Sequence, residues 1–238
     1  MLVLFDIDLT LITTRGCGQR AMVAAGRSLF GSRFTADGID FAGRLDPLII
    51  SDLFANAGVT QSRDALARFR TAYAATLRDH LRDAPGVTAL AGVFDLLTLL
   101  RSADASGPRW TMGLLTGNFE ETGAIKLRAC GIDPAWFGVR VWGDESPNVP
   151  PKRSDLVPVA MDRYRRDVRR DIDGRRVVVI GDTPHDIQAA KSHGCLAVGV
   201  ATGRSSIDDL QRAGADLAIP DLRDTEAVLA FLSGAAAG

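Results

Sequence analysis

Leu2-Val3-Leu4-Phe5-Asp6-Ile7-Asp8-Leu9-Thr10 is the stretch that decides how this chain is read. Four consecutive apolar residues, closed off by charge, fit a short strand buried on both faces. Two carboxylates follow it directly. Open parallel sheets bind ligands beyond the carboxyl ends of their strands, so Asp6 and Asp8 fall where a substrate would sit. An acidic residue after a strand also serves as a turn former or helix cap, and Asp-x-Asp alone does not separate these roles.

Four more short apolar runs follow: Trp110 to Leu115, Val177 to Ile180, Leu196 to Val200 and Leu217 to Ile219. Each is bounded by Gly, Asp or Pro and followed by a helical pattern, and that alternation predicts a parallel sheet. Residues 15–84 contain almost no β-branched run. There Leu66, Phe69, Tyr73, Leu77 and Leu81 form the stripe of an amphipathic helix, and Asp46-Pro47 marks a helix start. The expected fold class is α/β: a Rossmann-like three-layer parallel-sheet core, residues 1–14 and 85–238, carrying a small all-helical cap domain at residues 15–84. Pro85-Gly86 reads as the return to the core, Val87, Leu90, Phe94 and Leu97 as the first crossover helix, and Gly234 to Gly238 as a frayed end.

Composition narrows the partners. With 46% hydrophobic and 24% charged residues over 238 positions, the chain can bury one sizeable core, with or without an insertion. Lys and Arg number 28 against 29 Asp and Glu, so no global positive field recruits nucleic acid or an acidic membrane. Cys17, Cys130 and Cys195 stand too far apart for a zinc knuckle or a disulfide framework. There is no basic segment followed by a secretory apolar stretch, and no run approaches the ~20 apolar residues of a membrane span. A cytoplasmic protein, monomer or homodimer, is expected.

Two other strand ends carry polar groups. Leu114-Leu115-Thr116-Gly117-Asn118 offers a hydroxyl, a glycine and an amide at a helix start, suited to phosphate oxygens or to an ordinary turn. Ile180-Gly181-Asp182-Thr183-Pro184-His185-Asp186 adds two carboxylates four residues apart, of which Asp186 also suits helix capping. If Asp6, Asp8, Asp182 and Asp186 share one crevice, each like-charge pair at about 4 Å costs roughly 4 kcal/mol at an effective dielectric of 20. Such a cluster calls for a cation, and an all-oxygen donor set suits Mg²⁺.

Taken together, the three strand ends resemble the haloacid dehalogenase superfamily, in which Asp-x-Asp-x-Thr is followed by Ser or Thr, then Lys or Arg, then Gly-Asp-x-x-x-Asp. The order matches across nearly the whole chain, and the phosphoglycolate phosphatase-like members, with a helical cap after the first strand, are the most similar. The resemblance implies a Mg²⁺-dependent phosphatase of a small phosphorylated metabolite, such as a sugar phosphate or phosphoglycolate. By it, Asp6 is the nucleophile that forms an aspartyl-phosphate and Asp8 the general acid and base, its pKa raised for that work. The metal falls to Asp6, the backbone carbonyl of Asp8, and Asp182, with Asp186 either a ligand or a partner of bound water. Thr116, Gly117 and Asn118 would hold the phosphoryl group. The site cation is Lys152, with adjacent Arg153 as rival. Leu9 stands where Gly is usual in the family. Asp8 disfavours C–Cl or C–P cleavage, because an acid two residues after the nucleophile serves an oxygen leaving group. A phosphomutase, or a phosphate-binding regulatory protein without turnover, are the alternatives.

Other signals read as structural. Gly16-Cys17-Gly18-Gln19-Arg20-Ala21 matches a dinucleotide fingerprint in letters but lies ten residues past the strand, and reads as a hinge into the cap. Arg163, Arg165, Arg166, Arg169 and Arg170 interleave with acids as a solvated face. His80, His185 and His193 have no metal-ligand spacing. Lys126, inside the helix after Thr116, reads as a surface lysine, and Arg44 at a cap helix start as a candidate contact to the far end of a substrate.

Overall fold

The computed structural model describes residues 1–102, 110–168 and 171–237. In chain order these form β1 (Leu2–Phe5), β2 (Ile12–Thr13), α1 (Cys17–Phe30), α2 (Asp46–Ala57), α3 (Arg63–Leu81), β3 (Thr88–Ala89), α4 (Val93–Arg101), β4 (Thr111–Leu115) and α5 (Glu120–Ala129). Then follow β5 (Val139–Val141), α6 (Leu156–Val168), β6 (Val177–Gly181), α7 (Pro184–Lys191), β7 (Leu196–Val200), α8 (Ile207–Arg212), β8 (Leu217–Ile219) and α9 (Thr225–Ala237).

Six strands make one parallel sheet in the order β5-β4-β1-β6-β7-β8. β1 sits near the middle with both faces covered, which is why its sequence is unbroken apolar. Val3 and Phe5 point to the layer holding Leu96, Leu100 and Leu127, whereas Leu2 and Leu4 point to the layer of Leu156, Val157 and Ile187. The five strands expected from apolar runs are all present, within a residue or so of their expected bounds. β5 escapes a sequence reading because Val139-Arg140-Val141 is only three residues long. The helix expected from Val87 starts later, at Val93, since Thr88 and Ala89 pair antiparallel with β2. Gly234 lies within α9, a correction to the frayed end, while Gly238 falls outside the described residues, as do Arg169 and Arg170. No helix among the described residues is long and apolar enough to cross a membrane.

Helices α1–α3 are inserted between β2 and β3 as a cap region with its own core. Phe34, Phe54, Phe69 and Tyr73 are buried there with Cys17, Met22 and Leu77, and the aromatic rings meet at centroid separations of 5.5–6.2 Å. Phe119, just ahead of α5, is buried in the same cluster, so the core reaches into the cap. Arg70 of α3 adds a second tie: it bonds both oxygens of Glu121 at 2.7 and 2.9 Å and Asp144 at 2.7 Å, with its guanidinium 3.8 Å over the Phe119 ring.

Close packing in the cap makes one helix substitution run against propensity. Ala in place of a mid-helix Gly normally gains up to about 1 kcal/mol. At Gly26 a Cβ would stand 2.1 Å from the Phe34 ring. Gly26→Ala is therefore expected to lower stability by roughly 1–3 kcal/mol in denaturant titration, and a stabilised variant would refute this packing.

Candidate active site

The strand ends of β1, β4 and β6 open into one cavity of about 390 Å³, with the cap region on its far side. Asp6 is buried directly after β1, its backbone N–H bonded to the Ile180 carbonyl at 3.0 Å, so the sheet register itself fixes it beside the end of β6. Asp6, Asp182 and Asp186 are all buried and each offers an oxygen within 4.8 Å of the others. Asp186 uses Oδ2 to accept from the Thr183 backbone N–H (3.1 Å) and hydroxyl (2.7 Å), capping α7. Capping and site membership thus fall to different oxygens of one carboxylate. Its Oδ1 faces the cluster without a hydrogen bond of good geometry, which suits a cation ligand. The residues fit a hard, oxygen-preferring divalent ion.

The cation question has a definite geometric answer. Arg153 is buried, with Nη2 2.9 Å from Asp6 Oδ1 and 2.6 Å from Asp186 Oδ1, and the same guanidinium donates from Nη1 to the Gly43 carbonyl of the cap at 3.3 Å. Lys152 is exposed, its backbone N–H donating to Ser146 Oγ and Asp155 Oδ2, and its side chain is not in the cavity. The structure therefore brings Arg153, and not the favoured Lys152, to the carboxylates: the turn into α6 begins at Arg153 and points adjacent side chains apart.

Burial pushes the Asp6 carboxyl up to about 6, with Arg153 opposing and Asp186 and Asp8 adding to the rise. Burial, then Asp186 and Asp6, push Asp182 up to about 8. Burial thus outweighs Arg153 at both carboxyls.

Asp8 takes a different environment. Its carboxylate does not join the three-carboxylate cluster. Oδ2 accepts from Lys126 Nζ at 2.7 Å and from Asn118 Nδ2 at 2.8 Å. Lys126 is buried, not the surface residue its helical setting suggested, and it also donates to Asn118 Oδ1 at 2.6 Å. Burial alone would lower the Lys126 ammonium, but Asp8 above all, then Tyr73 and Asp46, hold it well above its ordinary value. Asn118 Nδ2 reaches Thr116 Oγ1 at 2.8 Å, so the amide is engaged in ordering Asp8, Thr116 and Lys126 together. Thr116 and Asn118 are buried and line the cavity. Gly117 lies pinched between chain segments, where a Cβ would come within 2.2 Å of the Arg44 carbonyl. Leu9 adopts φ +57°, the left-handed backbone that explains the usual glycine, and its carbonyl accepts from Thr202 Oγ1.

The cap contributes residues that the sequence reading passed over. Asp46, at the start of α2 as expected, is buried and clasps the core: its N–H donates to the Gly117 carbonyl at 2.7 Å, and its Oδ2 accepts from the Phe119 N–H at 3.2 Å. Arg44 lines the cavity, but its guanidinium pairs with Asp52 at 2.7 Å and donates to the Asp40 carbonyl. Gly16 precedes α1 in left-handed conformation, and Gly18 lies inside that helix against Lys126, so the fingerprint letters are helix packing. His185 is exposed at the cavity rim beside Gly43. All three cysteines are free and buried.

Comparison with known proteins agrees with this arrangement. The Hydrolase_like family model, described as HAD-hydrolase-like, matches residues 153–225, the span holding Arg153, Asp182 and Asp186. Over that span the chain is similar to the haloacid dehalogenase-like hydrolases. It is 28% identical over 222 residues, 89% of this chain and 86% of the other, to "Probable phosphatase IndB" of Dickeya dadantii (strain 3937). Among solved structures it shares the fold of CbbY from Rhodobacter sphaeroides (TM-score 0.72, 19% identity, 94% and 95% of the two chains covered). It also superposes on a hydrolase from Pseudomonas syringae (TM-score 0.66, 22% identity, 97% and 98% covered).

The Asp46 clasp carries a pH signature. Burial pushes this carboxyl up to about 7, against Lys126 and the Phe119 N–H, from a model-peptide value of 3.8. Because the folded value is the higher one, the stability it contributes is present below the unfolded value and is lost as pH rises through about 7. Asp46→Asn keeps an oxygen for the Phe119 N–H and cannot ionise. Between about pH 5 and about pH 8.5 its melting temperature should improve relative to wild type by at least about 3 °C, and parallel pH curves would contradict the assignment.

Proposed function

We propose that this protein is a Mg²⁺-dependent phosphatase that hydrolyses a small phosphorylated metabolite through an aspartyl-phosphate on Asp6. The observation that carries the reading is the division of labour between two carboxylates two residues apart. Asp6 is buried against Arg153 and the other two carboxylates, whereas Asp8 is held by one oxygen and keeps a side chain 37% exposed to the cleft. Similarity to a protein named as a phosphatase supports the same reaction class.

In this reading an Asp6 oxygen attacks phosphorus, forming an acyl phosphate, while the bond from phosphorus to the ester oxygen breaks. Asp8 gives the departing oxygen its proton, then takes one from the water that attacks phosphorus and splits the bond to Asp6, releasing inorganic phosphate. Arg153 fixes Asp6 and offsets the charge gathering at the strand ends, and the Thr116 hydroxyl lines the space where the phosphoryl oxygens would lie. Asp6, Asp182 and Asp186, with the Asp8 carbonyl, would hold Mg²⁺, whose charge would balance carboxylates and phosphoryl oxygens together. Residues 15–84 act as the cap that covers the cleft and selects the leaving group, with residues 1–14 and 85–238 as the catalytic core. Arg44 helps to shape the cap side of that cleft.

The test is release of inorganic phosphate from a panel of phosphate monoesters with Mg²⁺ or with chelator. Release should require the metal and fall at least about a thousandfold in Asp6→Asn. Undiminished turnover in Asp6→Asn, or in chelator, would sink the proposal. In the same assay Arg153→Met is expected to lose about a hundredfold, while Lys152→Met stays within about twofold of wild type. The reverse ranking would show that the geometric assignment of the cation is wrong.

A further inference from the structure

Asp8 is gripped on one side only. Lys126 and Asn118 both bond Oδ2, at 2.7 and 2.8 Å, and bond each other at 2.6 Å, closing a three-membered ring of polar groups. Asp8 lines the cavity with its side chain 37% exposed, and both of these bonds leave its other oxygen, Oδ1, unengaged by them. A carboxylate held in this way has one rotamer instead of several, and a proton donor must lie within hydrogen-bond reach of the atom it serves.

Lys126 is in turn held by the cap. A Cβ on Gly18 of α1 would lie 3.2 Å from Lys126 Cε, 3.3 Å from Nζ and 3.6 Å from Tyr73 Oη, so α1 and α3 close directly on the tip of this lysine. The Tyr73 hydroxyl is buried there without a hydrogen-bond partner, and the Asp46 carboxyl lies nearby. The ammonium thus joins a core carboxylate to a cap surface at the reacting end of the cleft.

We infer that Lys126 is a positioning residue for Asp8: with Asn118 it fixes Oδ2 so that Oδ1 is aimed at the leaving oxygen, and the cap helices α1 and α3 keep the ammonium in place. The inference rests on the phosphatase reading. It makes proton transfer to the leaving group, and not nucleophilic attack, the step that depends on Lys126. Arg153 serves Asp6, and Lys126 serves Asp8.

The experiment compares kcat/KM, which ends with departure of the alcohol, for alkyl phosphates and for p-nitrophenyl phosphate, whose leaving group departs without a proton. In Lys126→Met the alkyl esters should lose about a hundredfold and the nitrophenyl ester less than about threefold. Gly18→Ala, which favours the α1 helix yet crowds Lys126 by a few tenths of an ångström, should show the same selectivity at about three- to tenfold. This variant decides the matter if Lys126→Met does not fold. Equal losses on both ester classes, or no loss on either, in a variant of an active wild type would overturn the positioning role alone. A folded wild type that hydrolyses neither class would instead remove the phosphatase reading on which it stands.

Discussion

Everything at this site depends on one guanidinium. Three carboxylates brought within 4.8 Å of one another in a buried position repel strongly, and Arg153 sits between two of them at 2.6 and 2.9 Å. Breaking a buried pair of this kind by removing one partner costs roughly 3–5 kcal/mol, because the charge left behind stays buried. The geometry also ties folding to the cap, since Arg153 donates to the Gly43 carbonyl as well. A single positive group therefore joins the end of β1, the start of α7 and the loop ahead of α2. Burial above all, with the neighbouring carboxylates adding to it, holds the carboxyls of Asp6 and Asp182 above their ordinary range despite Arg153. A divalent cation at that cluster would favour their charged forms.

The same device recurs a few ångströms away with different members. Lys126 balances Asp8 and lies beside Asp46, again linking the sheet to the cap, and Arg70 repeats the arrangement at the outer edge with Glu121 and Asp144. The junction between cap and core thus includes three cations, each facing acids, and one of them, Arg70, lies over the buried ring of Phe119. Apolar packing holds each layer together internally. Where the two layers meet, charge works beside the buried Phe119 ring, and it does so at the cleft where the chemistry is proposed to occur.

How much of this could be read from the sequence follows from how local each signal is. The parallel sheet was legible because β1, β4, β6, β7 and β8 are each a continuous apolar run with a clear stop. Asp6, Asp182 and Asp186 were legible for the same reason: each stands at or just past such a stop, and sheet order then brings them together. Lys126 was not, because its setting in Ala124-Ile125-Lys126-Leu127-Arg128 looks like any helix surface and its partner Asp8 is 118 residues away. Asp46 and Tyr73 were visible only as a helix start and as one member of an apolar stripe. Arg153 and Lys152 could not be ranked by composition, since the phase of the following turn decides which of two neighbours points inward. β2 and β3, two residues each, lie below what periodicity can detect.

The central claim is that Asp6 carries the phosphoryl group between two displacements. The stereochemical course at phosphorus tests this most directly, using a phosphate monoester made chiral with sulfur and oxygen isotopes. Two in-line displacements predict net retention of configuration in the released thiophosphate. Net inversion would mean that water attacks the ester directly, and would contradict the account.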